Sequence, residues 1–533
     1  MTKMTKSFKN KLIYSSKNND LYTIFDNVKD EIESLIVIEN IREIEKTTKV
    51  KNISKTINLD NFYLKKTIFS NYKKINNLEL DFHEKLTVII GSNGVGKTSI
   101  LNGIVKNISW IVNNILKYNN NGSYILENEI SNNVNNILNK ISSVKCDFMY
   151  GNNTKVDGEL VKHLPGFPSK RQSKLTKYKK VGEIIRKINI IDDINLPLFA
   201  FYSVKRFSDN VGNIELKKNI DKLDIYKNIL DGNIKFDTFI SWLLQCLKIQ
   251  SSYPSLEGYR QRLAQIIEAK NILVPDTEVF SILEREENKL NEFINDIENS
   301  NNFSLHLIVI NNIVKNVFKS FKKFTLEQRS GFDEIFLVFE NNEKININQL
   351  SDGERVFIAI LMDIAYRLIL LNPERKNPLE GTGIVIIDEI ELHLHPRWQQ
   401  DSIILLQQNF PNLQFIITTH SPHVLSTVDS NSIRILKSDN TIHKPELQTK
   451  GVISSDILER IMFTSAVPPI FESELLEKII NLIDQNDFEN QETDEILSKL
   501  KKHFGNNHPE MIKVYSKIEL MNLKNKYKKS FNK

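Results

Sequence analysis

The chain has 533 residues, and its 71 Lys and Arg against 66 Asp and Glu leave a net charge of only +5. That balance excludes a protein that coats nucleic acid by bulk charge, so any basic function must be local. The length predicts about three folding units, and the two cysteines, Cys146 and Cys246, exclude a disulfide framework and point to a reducing, cytoplasmic compartment.

The first twenty residues are polar and basic, without the apolar core of a secretory signal. Leu21, Ile24, Phe25, Val28, Ile32, Leu35 and Ile36 fall at helical spacing and predict an amphipathic helix near 20–45. From Leu59 the pattern alternates as antiparallel strands do, and Leu86 to Ile90 is a continuous apolar run, the mark of a buried parallel strand. A helix is predicted over Ser99 to Leu116 and another buried strand over Leu196 to Tyr202. Residues 214–323 read as mostly helical, and short strands resume at Glu334 to Phe339. Val356 to Leu371 is the most apolar long stretch, yet it holds Asp363 and Arg367, so it predicts a buried helix and no membrane span. Further buried strands are predicted at Gly383 to Asp388 and Gln414 to His420, and the last ninety or so residues read as helical with a Lys-rich end. This gives segments at 1–58 (N-terminal helical extension), 59–213 (first lobe), 214–345 (helical insertion and lobe strands), 346–445 (second lobe) and 446–533 (C-terminal helical region).

The chemistry concentrates in four motifs. Gly91, Ser92, Asn93, Gly94, Val95, Gly96, Lys97 and Thr98 form a complete G-x-x-x-x-G-K-[ST] loop between a buried strand and a helix that continues through Ser99. Its backbone N–H groups and the helix N-terminus suit the phosphates of ATP, Lys97 the β- and γ-phosphates, and Thr98 a Mg²⁺ ion. The apolar strand ending in Asp388 and Glu389 is a Walker B strand. Asp388 is the second expected Mg²⁺ ligand and Glu389 the residue expected to orient the attacking water. Ser351, Asp352, Gly353 and Glu354, after Leu350, resemble the signature motif of ABC-type ATPases, and the same residues read equally as a capping box at a helix start. His420, after Thr418 and Thr419, matches the switch histidine of those enzymes. The order of the four is the ABC order, which implies an α/β ABC-type head: a mixed sheet with flanking helices, a helical insertion, and helical N- and C-terminal extensions. A signature facing away from its own loop implies a head-to-tail dimer with the signature acting in trans. His393 and His395 could be read as a metal pair; their place directly after Walker B favours an interface loop. No Gln stands in the position of a transporter Q-loop, and the equivalent turn is placed near Tyr202 to Arg206 with its ligand open.

Beyond these motifs, the residues Asn71 to Ile75, Ser109 to Val112, Phe199 to Arg206, Asn377 to Gly383, Glu391 to Gln399 and Ile457 to Met462 resemble the PtuA family. Those proteins are the ATPase subunits of Septu antiphage systems and of some retron defence systems. The resemblance runs from about residue 60 to near 520 and implies an ATPase that controls a separate HNH nuclease of the PtuB type, with a retron reverse transcriptase and its RNA–DNA product as further partners. The competing reading is a DNA-repair ATPase of the RecF or SMC kind. The separation of 254 positions from Lys97 to Ser351 excludes a long coiled-coil tether but not a short lobe. No D-x-D follows His420, which argues against a fused Toprim nuclease. Two basic runs are candidate nucleic-acid contacts: 162–187, with nine Lys and Arg, one acid (Glu183) and the interleaved Phe167 and Tyr178, and 524–533, which is free of acids.

Overall fold

The computed structural model of the protein describes residues 61–131, 141–151, 154–166, 170–191, 194–206, 222–234, 236–252, 256–272, 278–298, 301–329, 332–373 and 375–531. The helix expected near 20–45 lies outside them, as do Phe167 and Lys533. In chain order the elements of the first unit are β1 (Phe62–Tyr72), β2 (Ile75–Asp81), β3 (Leu86–Ile90), α1 (Lys97–Leu116), β4 (Ile141–Tyr150), β5 (Thr154–His163), α2 (Thr176–Ile191) and β6 (Leu198–Tyr202). Four helices follow: α3 (Phe236–Ser252), α4 (Leu256–Ile272), α5 (Glu278–Glu298) and α6 (Asn301–Val317). Then come β7 (Phe321–Arg329), β8 (Phe332–Phe339), β9 (Lys344–Asn346), α7 (Asp352–Leu371), β10 (Gly383–Ile387), α8 (Pro396–Asn409), β11 (Leu413–Thr418), α9 (Pro422–Leu425), β12 (Ile433–Leu436) and β13 (Ile442–His443).

The central sheet has the order β13–β12–β3–β11–β10–β6. It is parallel from β12 to β6, with β13 alone antiparallel. Every residue of β3, β6, β10 and β11 is buried, which is why these strands read as unbroken apolar runs. A second sheet, β2–β1–β4–β5, is antiparallel throughout, and its edge strand β2 alternates buried and exposed positions from Leu78 to Asp81, as a half-covered sheet does. Gln414, a buried polar residue on β11, stitches the two sheets. Its Oε1 accepts from Leu64 N at 2.7 Å and its Nε2 donates to Leu64 O at 2.8 Å and His83 O at 2.9 Å. Helix α1 packs so closely on β1 that a Cβ at Gly103 would lie 2.5 Å from the Phe69 ring.

The charges inside the apolar stretch 356–371 are paired in the core. Arg367 Nε donates to Asp363 Oδ2 at 2.8 Å, as does the Tyr202 hydroxyl at 2.8 Å, and Arg367 Nη1 reaches Ile225 O at 3.0 Å. Both bonds to Asp363 fall on one carboxylate oxygen, and Asp363 Oδ1 is buried without a hydrogen-bond partner, so the pair is only partly satisfied. No described helix is long and apolar enough to cross a membrane. Four of the nine cations in the basic run 162–187 are held in ion pairs: Lys162 with Glu127 at 3.4 Å, Lys177 with Asp157 at 2.6 Å, Lys187 with Glu183 at 2.8 Å, and Arg171 with Glu159. Tyr178, expected to interleave with those cations at the surface, is instead fully buried. Helical spacing carries it on to the stripe Val181, Ile184, Ile185 and Ile188, and its hydroxyl bonds Cys146 O at 2.8 Å and Gly158 O at 3.1 Å.

A second compact unit begins at Ser455. Beyond α10 (Ser454–Arg460), helices α11 (Phe471–Asp484), α12 (Gln491–Phe504) and α13 (Pro509–Phe531) close around Ile479, Ile483, Phe488, Leu500, Met511 and Val514. Lys524 and Lys526 are exposed on α13.

Candidate functional site

The parallel strands β3, β11, β10 and β6 all run in one direction, so their C-terminal ends open on one edge. In such sheets that edge is where ligands bind. The loop from Gly91 to Gly96 leaves β3 there. Gly94 and Gly96 take φ of +74° and +118°, values that favour glycine, and Gly96 is the N-cap of α1. A Cβ at Gly91 would sit 2.4 Å from Leu436 O on β12. Ser92, Asn93, Gly94 and Thr98 face solvent. Lys97 arcs back over the loop, its Nζ donating to Gly91 O at 2.9 Å and Ser92 O at 3.1 Å. Burial lowers its pKa, against the raising effect of Glu389, Asp388 and Glu391.

Asp388 leaves β10 beside this loop and is buried. Its Oδ2 accepts from Thr98 Oγ1 at 2.9 Å and its Oδ1 from Thr418 Oγ1 at 2.6 Å. A hydroxyl and a carboxylate converging in this way form a hard-oxygen donor set that fits Mg²⁺, a cation that takes one or two protein oxygens and leaves its other positions to phosphate and water. Glu389 follows with φ +49°, held by its N–H to Thr418 Oγ1 at 2.8 Å. Glu391 accepts from Thr419 Oγ1 at 2.8 Å and from the His420 backbone N–H. Burial and the neighbouring Lys97 push the His420 imidazole pKa down, against Glu391, Glu389 and Asp388. The neutral ring is therefore favoured near pH 7.

Three residues join this site that motif reading gave no role. The buried Arg206, in the turn after β6, donates from Nη1 to Asp388 O at 2.7 Å and from Nη2 to Glu389 O at 2.9 Å. Burial lowers its pKa to about 10, with Glu391, Asp388 and Glu389 acting against that. Thr418 bridges Asp388 to Glu389, and Glu391 fixes the backbone under His420. Arg206 stands in the turn whose ligand the sequence left open, and its signal was the apolar strand running into it.

Ser351 caps α7. Its Oγ accepts from Glu354 N at 3.5 Å and donates to Glu354 Oε2 at 2.7 Å, while Ser351 N donates to the same oxygen at 3.1 Å. The capping-box reading of this motif is thus realised. Gly353 packs on the loop after Walker B, where a Cβ would come 2.5 Å from His393 O. Among the described residues none of Ser351, Asp352, Gly353 or Glu354 is bonded to the loop at 91–99. His395 caps α8, its Nδ1 accepting from Arg397 N at 3.4 Å, and no cluster of three or more His, Cys, Asp or Glu suited to a metal occurs among the described residues.

The family model described as an AAA ATPase domain matches residues 63–425. The chain is 32% identical over 519 residues to the retron Vc95 probable ATPase of Vibrio cholerae serotype O1 biovar El Tor, covering 94% of this chain and 99% of that one. It is 30% identical over 477 residues to the retron Ec83 probable ATPase of Escherichia coli, covering 84% and 85%. A shorter match, 32% identical over 127 residues, covers 24% of this chain and 17% of the Septu protein PtuA of Bacillus mycoides strain KBAB4.

Proposed function

The chain belongs to the PtuA and retron family of P-loop ATPases, and from that premise we propose that it is the ATPase of an antiphage defence system. In this reading it hydrolyses ATP in composite sites of a head-to-tail dimer, and its nucleotide state controls a separate nuclease of the HNH type. The observation that carries the reading is the convergence of Lys97, Thr98, Asp388, Glu389, Arg206 and His420 on one sheet edge, while Ser351 and Gly353 lie on a separate helix start not bonded to that loop.

Each residue then has a task. The N–H groups from Gly94 to Thr98 cradle the phosphates at the positive end of α1. Lys97 exchanges its two loop carbonyls for phosphate oxygens. Thr98 and Asp388 would hold Mg²⁺, which when bound supplies charge neutralisation on the phosphates. Glu389 accepts a hydrogen bond from the attacking water and orients it toward the γ-phosphate, and neutral His420 donates a hydrogen bond to a γ-phosphate oxygen. Ser351 and the α7 N-terminus of the partner subunit close the site from the far side. In this reading a retron reverse transcriptase with its RNA–DNA product is a further partner, in line with the retron names of two relatives.

The test is turnover and nucleotide binding by the purified chain. Lys97→Ala is expected to lose nucleotide binding, and Glu389→Gln to keep binding, slow turnover and accumulate dimers. Wild-type turnover in Glu389→Gln would remove that residue from the chemistry. Affinity purification with the neighbouring genes expressed tests the partner: recovery of an HNH protein supports the reading, and recovery of repair proteins instead moves it to the RecF-like alternative.

A further inference from the structure

The loop after α1 is fastened by side chains of that helix. Lys106 Nζ donates to Tyr124 O at 2.8 Å, Trp110 Nε1 to Ser123 O at 3.1 Å, Asn113 Nδ2 to Asn121 O at 2.7 Å and Asn114 Nδ2 to Asn120 O at 2.7 Å. Ser109 Oγ accepts from Ser123 N at 2.7 Å. Gly122 lies so close to α1 that a Cβ would meet Trp110 Cδ1 at 2.5 Å and Ser109 Oγ at 2.6 Å. The Ser109 and Trp110 pair, which ATP chemistry does not use, is thus a clamp on this loop.

The fastened loop holds two aromatic rings in solvent: Tyr118 is 65% exposed and Tyr124 is 51% exposed. A single exposed ring needs no explanation, but these two line one cleft of about 710 Å³ between the loop and α2, with Trp110, Lys179 and Lys180. Cations are ordered around the rings. Lys179 Nζ lies 5.3 Å from the Trp110 ring centre and bonds Asn119 Oδ1 at 3.1 Å, and the Arg186 guanidinium lies 5.6 Å from the Tyr118 ring centre. The acid in the cleft wall, Glu183, is held by Lys187 at 2.8 Å.

We propose that this cleft binds single-stranded nucleic acid, with bases stacked on Tyr118 and Tyr124 and phosphates beside Lys179 and Lys180. Every base offers a π-face to a tyrosine, and the cations track a backbone, so the combination suits unpaired strands of mixed sequence. A duplex keeps its bases stacked inside and offers these rings nothing. The cleft lies along the C-terminal half of α1, roughly 20 to 30 Å from Lys97 at 1.5 Å per residue, so it is a second site, and the inference does not rest on the dimer reading.

The experiment is fluorescence anisotropy of the full chain with a labelled single strand of about 20 nucleotides, longer than known single-fold footprints, as DNA and as RNA, with the matching duplex as competitor. Tyr118→Ala and Tyr124→Ala are each expected to weaken binding by roughly 5- to 150-fold. Tyr118→Phe, which keeps the ring, should bind as wild type. All three should melt and turn over ATP as wild type. Plots of log affinity against log salt should fall with a slope of about −0.7 per phosphate contacted. Unchanged binding in the double Ala variant, equal competition by duplex, or no strand binding by the wild-type chain in low salt would each overturn the proposal. So would a peptide that occupies the cleft and does not compete with the strand.

Discussion

Arg206 bridges two consecutive carbonyls of the turn after β10, donating to Asp388 O at 2.7 Å and to Glu389 O at 2.9 Å. Glu389 itself sits at φ +49°, a conformation that costs a non-glycine residue on the order of 1 kcal/mol. A planar fork can hold both carbonyls at once, whereas an ammonium cannot reproduce that geometry. Arg206→Lys is therefore expected to lower kcat by roughly 10-fold or more with little change in KM, since two charge-assisted bonds of about 1.5–3 kcal/mol each are involved. Arg206→Ala should do more and also lower the melting temperature, because Asp388, Glu389 and Glu391 lose their buried counter-charge. Steady-state kinetics separates the two effects: a fall in stability alone, with kcat intact in the folded fraction, would reduce Arg206 to a packing residue.

What the sequence made legible follows from where the chemistry is local. The residues from Gly91 to Thr98 form one contiguous loop, and Asp388 with Glu389 ends one strand, so type and order alone located them. Arg206 reaches Asp388 across 182 positions, and no periodicity encodes such a bond. Tyr178 shows the converse error: a charged neighbourhood suggested a surface ring, but helical spacing placed it on the apolar stripe of α2. The stitching by Gln414 across 350 positions was equally invisible, since a polar residue in a buried strand carries no sign of its partner. The parallel strands were readable because burial on both faces writes itself as unbroken hydrophobicity.

Asp388→Asn tests the hard-oxygen pair. An amide can still bond the hydroxyls of Thr98 and Thr418, so the variant is expected to fold and melt close to wild type. It lacks the charge to bind a divalent cation, and turnover should fall by roughly 100-fold or more, the several kcal/mol that such a cation supplies. Chelation of the wild-type protein should give the same loss, reversed by added Mg²⁺. Turnover of Asp388→Asn at the wild-type rate in Mg²⁺ titrations would remove this residue from the metal site.

Two histidines contribute to the response to acid. Burial lowers the His306 pKa to about 4, while in the unfolded chain it titrates near 6.5. The unfolded state thus binds the extra proton between those values. The contribution of His306 is complete above pH 6.5 and is lost as pH falls toward 4, up to roughly 3 kcal/mol. Thermal melts across that window should flatten in His306→Gln. His420 is also lowered, so the acid limb of the rate profile is expected below pH 6.5, and His420→Gln should abolish that limb. A limb unchanged in His420→Gln would assign it to another group.

The composite-site reading makes a prediction that a self-contained site cannot meet. In a two-fold head-to-tail dimer each site takes Lys97 from one subunit and Ser351 from the other. A chain carrying Lys97→Ala and a chain carrying Ser351→Arg should each be inactive alone. In a mixed dimer the two lesions fall in the same site: the damaged loop of the first chain faces the damaged signature of the second. The other site pairs an intact loop with an intact signature. At equal mixing about half the dimers are mixed and one site in two is whole, so turnover should recover to about a quarter of wild type. Ser351 is also the cap of α7, and loss of a cap costs about 1 kcal/mol, so the melting temperature of Ser351→Arg is measured first, and a modest drop is expected. Recovery on mixing shows that the lesion lies at the site and not in folding, because a misfolded partner cannot lend its loop. Two inactive chains that stay inactive when mixed, both folded and both dimeric by light scattering, would mean that Ser351 serves only as the cap of its own helix.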